Sequence, residues 1–247
     1  MDSSSKDSAL QGKRVIVVGG SSGLGLATAK LAAAEGAALV LISSNQERID
    51  KALQELPSGS HEGHAVDMSQ ESSIKAFFEH VGAFDHLIYT AGENLSLINL
   101  EDIDVSEAKD FFTIRYWGAL AAAKYGVPHM NKGGSIGLIS GTASQRPGSG
   151  WALASSICGA MEGLCRALAV ELSPIRVNIV SPGVIKTNLW SSMSEEDREN
   201  LYKTTSEANL AKRVGEAEDV AKTFLFLMQQ PYATGQNFTI DGGSVLV

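Results

Sequence analysis

Cysteine and histidine are scarce in this 247-residue chain, with two of the first and five of the second. Cys158 and Cys165 fall seven apart on one expected helix, which sets their Cα atoms about 10 Å apart, beyond disulfide reach. They read as reduced thiols in a cytoplasmic setting. His61 and His64 form the nearest histidine pair, in a glycine-bearing loop with no cysteine or carboxylate at ligand spacing, so no metal site is expected. Clustered Lys/Arg runs are also missing, and 28 acidic against 20 basic residues leave a formal net charge of −8. That balance argues against nucleic acid and anionic membrane surfaces. The longest apolar runs, Val15 to Val18 and Leu39 to Ile42, have strand length and fall far short of the roughly 20 residues of a spanning helix. Residues 1–11 open on Met-Asp-Ser-Ser-Ser-Lys-Asp-Ser without an apolar core, so they are expected to be a disordered tail rather than a leader or anchor. A small molecule is the expected partner.

Against these absences stands one dense local signal. Arg14 to Val18 is an apolar strand, Gly19 to Gly25 a glycine-rich turn, and Leu26 to Glu35 an alanine-rich helix. Glycines permit a tight turn and close backbone approach, while the free N–H groups and positive dipole end at Gly23 to Leu26 suit a pyrophosphate. Apolar strands then alternate with helices: strand Ala38 to Ser43, helix Gln46 to Leu56, strand His64 to Asp67, helix Gln70 to Val81, strand His86 to Thr90. A long helix is expected over about Val105 to Met130. Strand Ser135 to Ser140, helix Trp151 to Leu172 and strand Arg176 to Ser181 follow. A polar segment to about Val214, helix Glu216 to Gln229 and strand Asn237 to Ile240 complete the chain. The pattern predicts an α/β fold: a Rossmann-like, doubly wound parallel sheet of about seven strands with helices on both faces, in one domain over 12–247.

In order along the chain, these motifs resemble the short-chain dehydrogenase/reductase superfamily from about Gly12 to Gly243. Val18-Gly-Gly-Ser-Ser-Gly-Leu-Gly25 is similar to its T-G-x-x-x-G-x-G loop, with Val replacing Thr. Thr90-Ala-Gly92 resembles N-A-G, Ile175 to Thr187 resembles its strand and P-G-x-x-x-T segment, and Asp241-Gly-Gly243 its end. The resemblance implies that Gly19, Ser21, Ser22, Gly23, Leu24 and Gly25 meet the cofactor phosphates. It places Asp67 and Met68 by the adenine, and Ala91 and Gly92 along the cofactor. Gly183, Ile185 and Thr187 then contact the nicotinamide.

An acid at the end of the second strand would accept a hydrogen bond from the ribose 2′-OH and repel a 2′-phosphate. Here that end reads Ser43, Ser44, Asn45, with Arg48 one helical turn on, so NADP(H) is the expected cofactor. The same polar residues also suit a helix cap before Gln46.

The catalytic positions depart from the family. Its set is Asn, Ser, Tyr and Lys, the last two as Y-x-x-x-K. Aligning Arg166 to Leu172 with the end of the family's helix places Ala154 at the tyrosine, Cys158 at the lysine, Gly141 at the serine and Arg115 at the asparagine. Sliding three residues offers only Trp151 and Ser155, so the Tyr-Lys proton relay is excluded either way. Trp151, Ala154, Ser155 and Cys158 share one helical stripe. Trp151, with Trp117 and Trp190, is a candidate stacking surface for an apolar substrate or a packing residue. Arg115 is the sharpest candidate, because a charged guanidinium in a cleft needs an anionic partner: a substrate carboxylate or enolate, the cofactor, or a structural carboxylate. Ser140, Ser144 and Arg146 follow the fifth strand, where catalysis or turn chemistry would each employ them. Lys186 and Tyr202 are expected to border the cleft, with Asn188 to Lys212 as a lid and Glu93 and Asn94 as further polar candidates.

Three functions fit this pattern. They are an NADP(H)-dependent reductase of a C=N, activated C=C or C=O bond in a bulky apolar molecule of natural-product type; a non-redox cyclase, isomerase or dehydratase; and an inactive nucleotide binder. Small residues at Ala119 to Ala123 and Gly159 to Ala167 permit close helix packing, and superfamily relatives pair through these helices. A homodimer or homotetramer is expected.

Overall fold

A computed structural model describes residues 10–94 and 97–247. Seven parallel strands form the central sheet: β1 (Arg14–Val18), β2 (Ala38–Ser43), β3 (His61–Ala65), β4 (Phe84–Tyr89), β5 (Met130–Ile139), β6 (Arg176–Pro182) and β9 (Asn237–Ile240). Their order is β3-β2-β1-β4-β5-β6-β9, and β7 (Ile185–Lys186) pairs with β8 (Gly215–Glu216) beside the sheet. The doubly wound fold read from the alternation is thus present, and the order reverses between β1 and β4.

Strand pleating divides the core in two. Ile16 and Val18 point to the face covered by α3 (Glu71–Val81), α5 (Ala119–Gly126) and α6 (Ala152–Glu171), where Phe78, Ala122, Ile157 and Met161 are buried. Val15 and Val17 point to the other, under α1 (Gly23–Ala34), α2 (Gln46–Gln54) and α8 (Ala217–Gln229), with Ala29, Ala52 and Phe224. Burial on both faces explains the nearly continuous apolar strands, each such side chain contributing about 1.5–3 kcal/mol. Helix α6 is long and apolar enough by composition to cross a membrane, yet its Ala154, Ile157, Cys158, Met161, Leu164 and Leu168 lie in the first core.

Several boundaries differ from expectation: β3 covers His61–Ala65 rather than His64 to Asp67, pairing from Leu39 with His61 onward, and β4 starts at Phe84 rather than His86. The expected tail lies outside the described residues except at its end, where Leu10 is buried in the second core and Gln11 packs against Gly36. Leu10 and Gln11 therefore belong to the folded domain and not to a disordered tail. The single helix expected over 105–130 is instead α4 (Val105–Ala108), a short 3-10 turn, a π-helical turn at Thr113–Gly118, then α5. Strand β5 starts at Met130, because a register shift between Phe84 and His86 lets Met130 pair with Phe84 across the irregularity. The polar segment contains α7 (Glu195–Ala208), capped by Ser194, whose hydroxyl accepts from Asp197 N–H, with Glu195, Glu196 and Asp197 favourable at its dipole.

Candidate functional site

The crevice lies beyond the C-terminal ends of β1, β4, β5 and β6, at the point where strand order reverses. Gly19 adopts φ +83°, and a Cβ there would lie 2.8 Å from Ala91 N and Thr90 Oγ1. At Gly25 a Cβ would run into the Gly19 carbonyl, so the glycine is what lets α1 seat against the turn. Thr90 ties β4 to β1 by donating its hydroxyl to Val18 O at 2.9 Å. Gly23 adopts φ +51°, and a Cβ there would be in contact with the Thr187 side chain at 3.6 Å. The N-cap of α1, Ser22, makes no side-chain cap bond, so the first turn of the helix keeps N–H groups that no side chain caps.

On the adenine side, Ser21 Oγ donates to Ser43 Oγ at 2.9 Å, joining the turn to the end of β2. Asn45 caps α2 by accepting from Arg48 N–H at 2.9 Å, so the capping alternative holds for its side chain. Ser44, Asn45 and Arg48 are exposed at the lip. Asp67 accepts from Ser69 Oγ and N–H at 2.7 and 2.9 Å, and these bonds hold its carboxyl below the usual range. Met68 beside it is buried.

At the other end the π-helical turn delivers Arg115. Its guanidinium rests on Gly92: a Cβ there would lie 2.6 Å from Nε and 2.7 Å from Nη2. The Glu93 carboxylate accepts from the backbone N–H of Ile114 and, at 3.3 Å, from that of Arg115. Tyr89, buried in β4, donates its hydroxyl to Ile114 O at 2.5 Å, and burial pushes its ionisation upward. Among the described residues no carboxylate lies within ion-pair distance of the Arg115 guanidinium. Across the cleft, Ala154 and Cys158 are buried, and Cys158 Sγ would lie 3.3 Å from a Cβ at Gly141. Burial raises the Cys158 thiol, a trend that the Arg115 charge and a Ser140 hydrogen bond oppose.

Several expected site residues are otherwise engaged. Ser140 is buried and donates to Cys158 O at 3.2 Å, and Ser144 donates to the Glu162 carboxylate. Both serve the loop and α6 rather than open space, because each hydroxyl has a partner within its own layer. Arg146 reaches Ser244 O at 2.7 Å, and Lys186 pairs with Glu216 at 2.7 Å. The tryptophans do not gather. Trp151 lies against Gly148 at the start of α6, Trp190 is buried with Nε1 donating to Ile185 O at 2.9 Å, and Trp117 is exposed. Trp117 lines a cavity of about 270 Å³ with Met68, Ile74, Leu120 and Lys124, on the adenine side. Ser155 is half-buried beside Ala154, Gly183 packs on Asp241, and Ile185 lies in β7 with Thr187 at its end. Sequence reasoning missed the grip of Glu93 on the π-helical turn. The signal was a carboxylate directly after a glycine that approaches a cation.

A doubly wound sheet with this cradle defines a dinucleotide-binding α/β protein. The chain matches the enoyl-(acyl carrier protein) reductase family model over residues 18–244 and belongs to the short-chain dehydrogenase/reductase superfamily, whose members bind a nicotinamide cofactor. It is 32% identical to the short-chain dehydrogenase/reductase ATR9 of Stachybotrys chlorohalonatus, covering 96% of this chain and 98% of that one. The MalC reductase/Diels-Alderase of Malbranchea aurantiaca superposes with a TM-score of 0.91 at 28% identity, over 98% of this chain and 99% of MalC. A small-chain dehydrogenase solved in complex with NADPH gives 0.82 at 34%, over 96% and 100%.

Proposed function

We propose that the protein is an NADP(H)-dependent reductase acting on a C=N, activated C=C or C=O bond of a bulky apolar small molecule, without a tyrosine proton donor. The observation that carries this reading is an intact cofactor cradle facing a cleft where Arg115 lies on Gly92 and where Ala154 and Cys158 stand at the positions of the family's tyrosine and lysine. The cradle fits a dinucleotide: Gly19 and Gly25 leave room only for backbone, and the first turn of α1, beside Thr187, has no side-chain cap on its N–H groups. Gly23 and Ser22 would hold the phosphates, Ser43, Ser44 and Arg48 a 2′-phosphate, and Gly183 and Thr187 the nicotinamide. When bound, a reduced nicotinamide supplies a hydride. Arg115 stabilises the negative charge that develops on the acceptor, and Ala154 and Cys158 leave space for a bulky substrate. The proton comes from water or the substrate itself.

The likeness to MalC favours a second reading in which the same enlarged, weakly polar cleft also promotes cyclisation. Incubation with NADPH and a panel of cyclic imines, enones and ketones separates them. Loss of nicotinamide absorbance supports the reductase, whereas turnover independent of cofactor redox state supports the cyclase. We further propose a homodimer or homotetramer built on α5 and α6, where Gly159 and Gly163 have no neighbour that a Cβ would meet. A monomer by light scattering at micromolar concentration would remove that idea.

A further inference from the structure

We infer that Glu93 is a positioning residue that sets the place of Arg115 through its backbone, an inference that rests on the role proposed for Arg115. A π-helical turn bonds i to i+5, which widens the helix and leaves early N–H groups in need of partners. The Glu93 carboxylate meets two of them, Ile114 N–H and Arg115 N–H, from a different segment of chain. Tyr89 holds the opposite polarity of the same turn by donating to Ile114 O at 2.5 Å. Gly92, the residue before Glu93, supplies the bare Cα on which the guanidinium rests. One dipeptide, Gly92-Glu93, therefore fixes both ends of Arg115: the carboxylate takes its backbone and the glycine seats its side chain.

Glu93 is half-buried, and its acceptor capacity toward this turn is directed at backbone rather than at the guanidinium. The donor fork of Arg115 is thus left for whatever enters the cleft, while its position is held by a residue that makes no direct contact with the guanidinium. A carboxylate is needed because each of its oxygens accepts, and the amide of Gln offers one acceptor only.

Arginine side-chain NMR on isotope-labelled protein tests this without turnover, with the Arg115 Nε–H resonance identified by its loss in Arg115→Lys. In the native protein that resonance is expected to be dispersed and slow to exchange with water. Glu93→Ala should move it to the position of an unrestrained arginine and speed its exchange, with the other arginine resonances in place; Glu93→Gln should do so partially. Gly92→Ala provides an independent arm, since a Cβ there meets only the flexible end of Arg115 and displaces the guanidinium while the Glu93 bonds survive. It should shift the same resonance at nearly native melting temperature. An unchanged Arg115 resonance in both folded Glu93 variants overturns the inference. So does a loss of fold in both, which would make Glu93 a structural residue only. Full turnover by Arg115→Ala would end the catalytic reading and leave this test standing.

Discussion

Removing the Arg115 guanidinium should separate catalysis from stability. The side chain is half-buried and has no ion pair among the described residues, so Arg115→Ala deletes a stem contact and vacates space over Gly92 without stranding a buried carboxylate. A stability loss of about 1 kcal/mol or less is expected. For the rate, the proposed role makes the guanidinium a fixed donor facing developing charge, and loss of one such donor costs about 10² to 10³, or roughly 3 to 4 kcal/mol. Arg115→Lys should recover only part, because an ammonium lacks the planar fork that makes two parallel bonds. Cys158→Ser serves as the control. Its thiol is buried and raised in pKa, so it has little thiolate, and the substitution should leave turnover close to native. The assay is NADPH consumption with a substrate from the panel, paired with thermal melting of all three variants. Should Cys158→Ser abolish turnover while Arg115→Ala keeps it at an unchanged melting temperature, the assignment of roles is wrong and a thiol mechanism takes its place.

Two other expectations concern cofactor choice and acid stability. Ser43→Asp places a carboxylate at the end of β2, within reach of Ser21, and should reverse a preference for NADP(H) over NAD(H) that is at least about tenfold in the native protein. Calorimetry checks both, and equal native affinities would sink the argument. His86 lies buried on β4, sharing a 2.8 Å hydrogen bond with Ser135 Oγ, and burial lowers its pKa from 6.5 to about 4 against the opposing pull of Asp85. The unfolded chain takes up a proton near pH 6.5 that the folded one refuses until about 4. Stability from this group is therefore whole above pH 6.5 and falls by roughly 3 kcal/mol as pH drops to about 4. His86→Gln should flatten that part of a urea-midpoint against pH curve, and an unaltered slope would show that another group controls it.

What could be read from residues alone was what local physics decides. Alternation of buried strands and helices specified the sheet, and β2 runs from Ala38 to Ser43 as read, because both its faces are covered and its ends are marked by glycine and polar residues. The glycine turn was legible because its chemistry is backbone chemistry, carried by Gly19, Gly23 and Gly25 within a few positions. Segments whose conformation is set from elsewhere were not. Phe111 to Trp117 has helical spacing, yet the turn widens where Glu93 and Tyr89 bind its backbone from another part of the chain. Helix α7 was hidden by its polarity, since none of its residues is fully buried and periodicity carried little signal. Its Ser194-Glu-Glu-Asp start was the clue to use. At the site, register alone identified Arg115 and Cys158, whereas the engagement of Ser140 and Ser144 depends on α6 packing, which no spacing records.

The charge pattern of the cleft leads to a last prediction. The family's set pairs one acid, tyrosine, with one cation, lysine; in the proposed reading this chain lacks the acid and carries its cation at Arg115. Electrostatic stabilisation would then be retained without proton donation from the protein. A guanidinium stays protonated throughout the working range, and Cys158 is pushed upward by burial, away from neutrality. On the proposed reading no protein acid in the cleft must hold its proton to act between about pH 6.5 and 8.5, in contrast to a tyrosine relay. With an enone that does not itself ionise, kcat/KM should be flat across that interval, provided the protein stays folded at its lower end. An apparent pKa inside the interval that survives Arg115→Lys would reveal a titrating acid in the cleft, and the reading of a donor-free site would have to be given up.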